Sequence, residues 1–392
     1  MDSVIVTDCG VMLAKTGDRL VVRGPKPKLE LIEGVPQLFL PLGLDNHRPA
    51  LTVITSDGEK RAAEPIRHLG DNADRPGTPK STPDRIEMPL FRVGHIVVAS
   101  GGVSISTDLI EACCERGIRL SFLARGGRPF AMLSSPMLTA TVITRREQLA
   151  AYGDERGVEF ARAIVRGKLG NQAALLRYFG KYLKTAKPGA FAKVSEAAAR
   201  LVKARNSVAR VSAPNIDEAR EALLATEKSA GRIYWSGVRL LMPDGVEFDT
   251  REHRGAADPV NSALNYGYGM LYTQVWGALM NAGLEPFAGF LHVDRPGKPS
   301  LVLDMVEEFR QPVVDRAIIA ALGKGSALKT RNGMLTDQSR RTVAQLILER
   351  LESEANFRGQ RHTLKSIIQI QARNLATALR GETRYKAFSF KW

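Results

Sequence analysis

The sequence predicts a multi-domain α+β protein, with an N-terminal β-rich domain followed by a larger all-α C-terminal domain. Three observations predict it. Up to residue 43, short apolar runs alternate with Gly, Asp and Pro, the pattern of strands and turns. From about residue 141 the apolar spacing becomes helical and stays so. With 392 residues the chain has room for two or three domains. The expected division is residues 1–125, a linker at 126–140, and a helical domain at 141–392.

Val4-Ile5-Val6, Val11-Met12-Leu13, Arg19 to Arg23 and Leu29 to Ile32 read as strands. Residues 44–85 stand out as an unusual insertion. Leu51 to Thr55 can form a strand there, but Gly70 to Pro79 is rich in breakers and reads as an exposed, partly flexible loop. Ile96 to Ala99 is a strand, Ser106 opens a short helix ending at Gly117, and Ile118 to Leu123 is another strand. Beyond 141, Val158 to Lys184 is helical and Ala186 to Gly189 breaks the pattern. Asn215 with Glu218 forms a capping-box-like helix start. Val343 to Leu351 and Leu364 to Leu379 are two apolar-faced helices, the second closed by Gly381. The tail Arg384 to Trp392 mixes cations with aromatics, and docking on the body is favoured over stacking on bases.

The formal net charge is +15, which calls for a polyanionic partner or a membrane surface. No apolar span or amphipathic N-terminal helix favours the membrane. Met1-Asp2-Ser3 leads directly into a strand, so no signal peptide is expected. Three cysteines without a CxxC form no disulfide framework and fit reduced thiols in the cytoplasm. Basic Arg162, Arg166, Lys168, Arg177 and Lys181 lie along one helical run, and Arg254 follows later. They form either a solvated face or a phosphate-facing stripe.

The most informative stretch is Gly289 to Arg310. His292 follows a short apolar run, Arg295-Pro296-Gly297-Lys298 is a turn, and Pro299-Ser300 can open a helix. On that helix Asp304, Glu307 and Glu308 are spaced to share a face. One imidazole near carboxylates suits Mg²⁺ or Mn²⁺, but a solvated acidic face beside a core histidine has the same pattern. Glu227 sits on the apolar face of its helix, where a lone carboxylate needs an arginine or a metal. Asn261 and Asn265, one turn apart after Asp258-Pro259, can point together at phosphate or a metal-bound water.

Taken together, Glu227, Asp258-Pro259-Val260-Asn261, Gly289-Phe290-Leu291-His292 and Asp304 to Arg310 resemble the CRISPR-associated integrase and endonuclease family known as Cas-one. Leu120 to Leu123, Arg145-Arg146, Lys168 with Asn171, and Gln371-Ala372-Arg373 extend the likeness over most of the chain outside 44–85. The resemblance implies a β domain that mediates homodimerisation and a helical domain holding Mg²⁺ or Mn²⁺. It implies Glu227, His292 and Glu307 as catalytic, metal-binding residues, with Asp304 and Asn261 as accessories near the site. It further implies joining of prespacer 3′-OH ends to a CRISPR repeat by transesterification, with a small ferredoxin-like partner of the Cas-two family. A structure-selective repair nuclease and a DNA-binding scaffold without chemistry are the alternatives.

Overall fold

The computed structural model describes residues 2–6, 10–24, 28–32, 35–39, 52–54, 60–62, 84–124, 126–133, 142–253 and 256–390. Its strands begin with β1 (Asp2–Val6), β2 (Met12–Thr16) and β3 (Arg19–Gly24). Two antiparallel hairpins follow, β4 (Lys28–Ile32) with β5 (Val35–Phe39), and β6 (Thr52–Ile54) with β7 (Lys60–Ala62). β8 (Asp84–Pro89), β9 (Val93–Val98) and β10 (Ser104–Ile105) precede helix α1 (Thr107–Glu115), and β11 (Arg119–Leu123) and β12 (Pro129–Leu133) complete the region.

These strands form two four-stranded sheets, ordered β1-β9-β11-β12 and β10-β2-β3-β8. β1, β9 and β11 are parallel, with β12 antiparallel at the edge. Period-2 alternation explains how they pack. Val4, Val6, Ile96 and Val98 bury one face of the first sheet against Leu13, Leu20 and Val22 of the second. Val97, on the opposite face, joins the separate core of the helical part. The strands read from sequence around Val4, Met12, Arg19, Leu29, Thr52 and Ile96 form over their described residues. Two boundaries differ. Pro129–Leu133 is a strand paired to β11, not part of a linker, because Met132 and Leu133 match the β11 register. The 44–85 insertion ends in β8, which pairs along all of β3. The loop at Gly70 to Pro79 lies outside the described residues.

The helical part runs α2 (Val142–Ala150), α3 (Glu155–Gly180), α4 (Leu183–Ala186), α5 (Pro188–Val208), α6 (Ile216–Leu241), α7 (Pro259–Asn281), α8 (Ser300–Val306), α9 (Arg316–Gly323), α10 (Asp337–Glu352) and α11 (Leu364–Leu379). It is not purely α. Two small hairpins, β13 (Thr330–Arg331) with β14 (Met334–Leu335) and β15 (Glu354–Phe357) with β16 (Gln360–Thr363), bracket α10. Pro188-Gly189, a break by sequence, opens α5: proline at the first helical position costs no hydrogen bond. Asn215 caps α6 as expected, accepting from Glu218 N. α7 is buried around most of its circumference, so it is the axis of this part. Its Gly269 lets it touch the β11–β12 turn; a Cβ there would stand 1.7 Å from Gly127 O. No helix among the described residues is long and apolar enough to cross a membrane.

A polar junction joins the first sheet to α7. Gln274 accepts from Arg119 through Oε1 at 3.1 Å, which turns its amide nitrogen toward His95 Nδ1 at 2.8 Å. The remaining His95 proton then sits on Nε2 and is donated to Ser121 Oγ at 2.8 Å. Burial, with Arg119 nearby, pushes the His95 imidazole well below its ordinary value of 6.5, so it is neutral when folded. The unfolded chain takes up this proton first as pH falls. His95 therefore removes stability as pH drops below 6.5. Melting temperature should fall between about pH 7.5 and about pH 5, with a shallower slope in His95→Gln. Equal slopes in the two proteins would contradict the assignment.

Candidate active site

The loop ahead of α8 is built around one buried carboxylate. Asp304 Oδ2 accepts from the Phe290 and Leu291 N–H groups at 2.7 and 3.0 Å. Its Oδ1 accepts from His292 N at 2.9 Å and meets His292 Nδ1 at 2.7 Å. The loop lies close enough for this because residue 289 is glycine: a Cβ would stand 2.6 Å from the Ser300 backbone. Asp304 thus fixes the imidazole through Nδ1 and leaves Nε2 as the nitrogen that could hold a metal, the arrangement of a carboxylate-oriented metal-ligating histidine. Ser300 does not cap α8; its hydroxyl donates to Val293 O at 3.3 Å, because it serves the loop instead.

Glu227 on α6 and Glu307, just past α8, meet at one cation, the ammonium of Lys168 on α3. Nζ donates to Glu227 Oε1 and lies 2.6 Å from Glu307 Oε2. The Glu307 contact is an ion pair off the angle of a hydrogen bond, and this oxygen accepts from no other described group. Burial favours neutral forms, but the charges win. Burial would lower the Lys168 pKa, yet Glu307 and Glu227 hold it above the ordinary value. Burial would raise Glu307, yet Arg310, Lys168 and His292 hold it below. Arg310 Nη2 stands 3.2 Å from Glu307 Oε1 and donates to Tyr272 OH at 2.8 Å, with its guanidinium over the Tyr268 ring. Nearby His253 is lowered to about 4 by burial, Arg251 and Arg310, so its imidazole is neutral at pH 7.

The three acids of the 304–308 stretch do not share a face. α8 ends at Val306, and a π-helical turn over Arg310–Asp315 follows, so the side chains fan out. Asp304 serves the His292 loop and Glu307 faces Lys168. Glu308 accepts from Tyr385 OH at 2.6 Å, from Gln371 Nε2 at 3.2 Å and from Phe388 N. Burial raises the Glu308 carboxyl to about 7 against these donors. The tail is therefore docked over its described length, with Phe388 buried.

The predicted residues sort as follows. Glu227 and Glu307 come together, and His292 stands close enough to Glu307 to affect its ionisation. Among the described residues, however, no three His, Cys, Asp or Glu side chains are grouped closely enough to hold a metal ion as they stand. The position that two of them share is taken by Lys168. Lys168 is buried and so is not part of a DNA-facing stripe. Arg162 is also partly withdrawn, donating to Val211 O at 2.8 Å. Arg177 and Lys181 are exposed and Arg166 is half-buried, while Arg254 lies outside the described residues. Asn261 does not face the carboxylates. It accepts from Arg251 and Glu252 N and donates to Thr250 O and Asp258, because it pins the loop ahead of α7.

Sequence reasoning missed the role of Lys168, and a signal was present. Lys168 falls on the buried stripe of α3 with Ala161, Ile164, Val165 and Gln172. A lysine on an apolar stripe, like Glu227 on its own, calls for a partner. Arg310 and His253 carried no such mark.

A family model described as "CRISPR associated protein Cas1" matches residues 78–349. The chain belongs to the Cas1 family. It is 37% identical over 308 residues to "CRISPR-associated endonuclease Cas1 1" of Archaeoglobus fulgidus, spanning 76% of this chain and 89% of that protein. Among solved structures it is similar to a casposase bound to integration product, with a TM-score of 0.73 at 18% identity over 99% of this chain and 93% of the other. It is also similar to a chain of a Cas6-RT-Cas1–Cas2 complex, with a TM-score of 0.66 at 16% identity over 99% of this chain and 36% of the other. The Cas1 match covers Lys168, Glu227, His292, Asp304 and Glu307.

In this Cas1 chain Asp304 is a sharp test of the loop geometry. Both of its oxygens accept, so Asp304→Asn sets an amide against N–H donors whichever way it turns. Denaturant unfolding should show a loss of about 1–3 kcal/mol. An unchanged midpoint would show that the loop is held by other contacts.

Proposed function

We propose that this protein is a metal-dependent DNA integrase and endonuclease of CRISPR adaptation, joining prespacer 3′-OH ends to a CRISPR repeat. One observation carries the reading: two carboxylates from distant segments converge on a single buried cation position, beside an imidazole whose orientation is fixed. The donor set fits a hard divalent cation, since Glu227 and Glu307 supply carboxylate oxygens and His292 offers Nε2. When bound, Mg²⁺ or Mn²⁺ would supply Lewis-acid stabilisation of charge at the scissile phosphate.

The remaining work falls to the chain. Asp304 holds His292 in one tautomer and one direction. Arg310, anchored by Tyr272 and Tyr268, keeps Glu307 ionised. The net charge of +15 draws double-stranded DNA by its backbone, and exposed Arg177 and Lys181 contribute to that surface. In the joining step the incoming 3′-hydroxyl oxygen bonds to a repeat phosphorus, and the P–O3′ bond of the repeat strand breaks. The proton lost by the attacking hydroxyl is regained by the leaving oxygen. Bond number is conserved, so no energy source is needed. Water in place of the hydroxyl makes the same site a nuclease. A homodimer working with a small Cas2-type partner is the assembly we infer, supported by the likeness to a chain solved in a complex with Cas2.

A labelled duplex fragment incubated with repeat-containing plasmid tests this directly. Glu227→Ala, His292→Ala and Glu307→Ala should each lower covalent joining by at least about a hundredfold, as should EDTA, while DNA binding persists. Joining that survives any of these changes would reject the assignment. Nicking without joining would favour a repair-type nuclease, and DNA binding with neither activity would favour a scaffold.

A further inference from the structure

Resting on that reading, we propose that Lys168 competes with the divalent cation for Glu227 and Glu307, and thereby sets how tightly the ion is held. Its ammonium is paired with both carboxylates at once. Arg310 reaches only Glu307. A cation bridging the two acids must therefore take the place of Nζ.

The two basic side chains differ in how readily they can yield. Arg310 is pinned by the Tyr272 hydroxyl and lies over the Tyr268 ring, 4.7 Å from its centroid. Lys168 has a flexible four-carbon stem and only ionic partners at its tip. Its helix can stay in place as the side chain withdraws. One turn along, Asn171 donates to Glu308 O at 2.9 Å and to Phe388 O at 3.0 Å, and accepts from Phe390 N at 2.9 Å. These bonds tie α3 to the segment that carries Glu307, independently of Lys168.

The electrostatics give competition a direction. Glu227 and Glu307, brought to one point, repel each other, and the buried Glu307 also loses hydration, which Arg310 offsets only in part. Lys168 relieves this with one positive charge, so a divalent ion gains only the difference between itself and the ammonium. A displaced ammonium stays within the reach of its stem.

Mn²⁺ binding, measured by loss of the free-ion electron paramagnetic resonance signal without DNA, tests the competition apart from activity. Lys168→Met and Lys168→Gln should bind Mn²⁺ about tenfold more tightly than the unaltered protein. Lys168→Arg, which keeps the charge, should not. In EDTA the neutral variants should melt at lower temperature than the unaltered protein, and Mn²⁺ should raise their melting temperature more. A variant that folds only with Mn²⁺ also supports the proposal. Equal or weaker binding in both neutral variants would overturn it, while leaving the metal reading intact. Failure of both to fold even with Mn²⁺ would also overturn it, because the ion would then not replace the ammonium. No saturable Mn²⁺ binding by any of the four proteins would remove the metal reading and this inference with it.

Discussion

A buried charge must find its opposite, and this constraint organises the helical part of the protein. Lys168, Glu227 and Glu307 come from three elements distant in sequence: α3, α6 and the turn after α8. Lys168 and Glu307 are buried and Glu227 is partly exposed, so the first two depend most on a charged partner. Their mutual pairing, together with the Asn171 bonds to Glu308 O and Phe388 O, joins these elements at the point where the chemistry is inferred to occur. Removing one member upsets this balance, although Glu307 keeps Arg310 at 3.2 Å. Such a cluster is a demanding way to stabilise a core, and apolar side chains would serve that purpose at least as well.

Around this cluster the chain uses hydrogen bonds to set direction. Asp304 gathers three successive backbone N–H groups and the imidazole, converting a turn rich in Pro and Gly into a defined loop. Glu308 does the same for the C-terminal segment, which folds back to cover the far side of the acid-bearing turn. Neighbouring residues of one short acidic stretch thus perform three separate tasks. They part because α8 ends at Val306, ahead of Glu307 and Glu308. Asp315, at the end of the π-helical turn, accepts from Tyr234 at 2.7 Å and also from Tyr268, tying that turn to α6 and α7.

Much of this was legible in the residues. Strand alternation around Val4, Val22 and Ile96, and the helical spacing after residue 141, predicted the two-part architecture. Glu227 announced itself by standing on an apolar face. The aromatics of the tail favour docking over base stacking, and its described residues dock. What could not be read were directions that depend on departures from regular helix. Regular spacing placed Asp304, Glu307 and Glu308 on one face, but the helix stops at Val306. Asn261 looked exposed to a ligand because its backbone partners sit in a loop whose path has no sequence period. Lys168 was grouped with other cations by charge alone, and its position on the buried stripe of α3 carried the better information.

Anomalous diffraction from crystals grown with Mn²⁺ addresses the central claim most directly. The account predicts a peak about 2.2 Å from oxygens of Glu227 and Glu307 and from Nε2 of His292, with the Lys168 ammonium moved aside. A peak elsewhere, or density showing Lys168 still bridging the two carboxylates at saturating Mn²⁺, would contradict it.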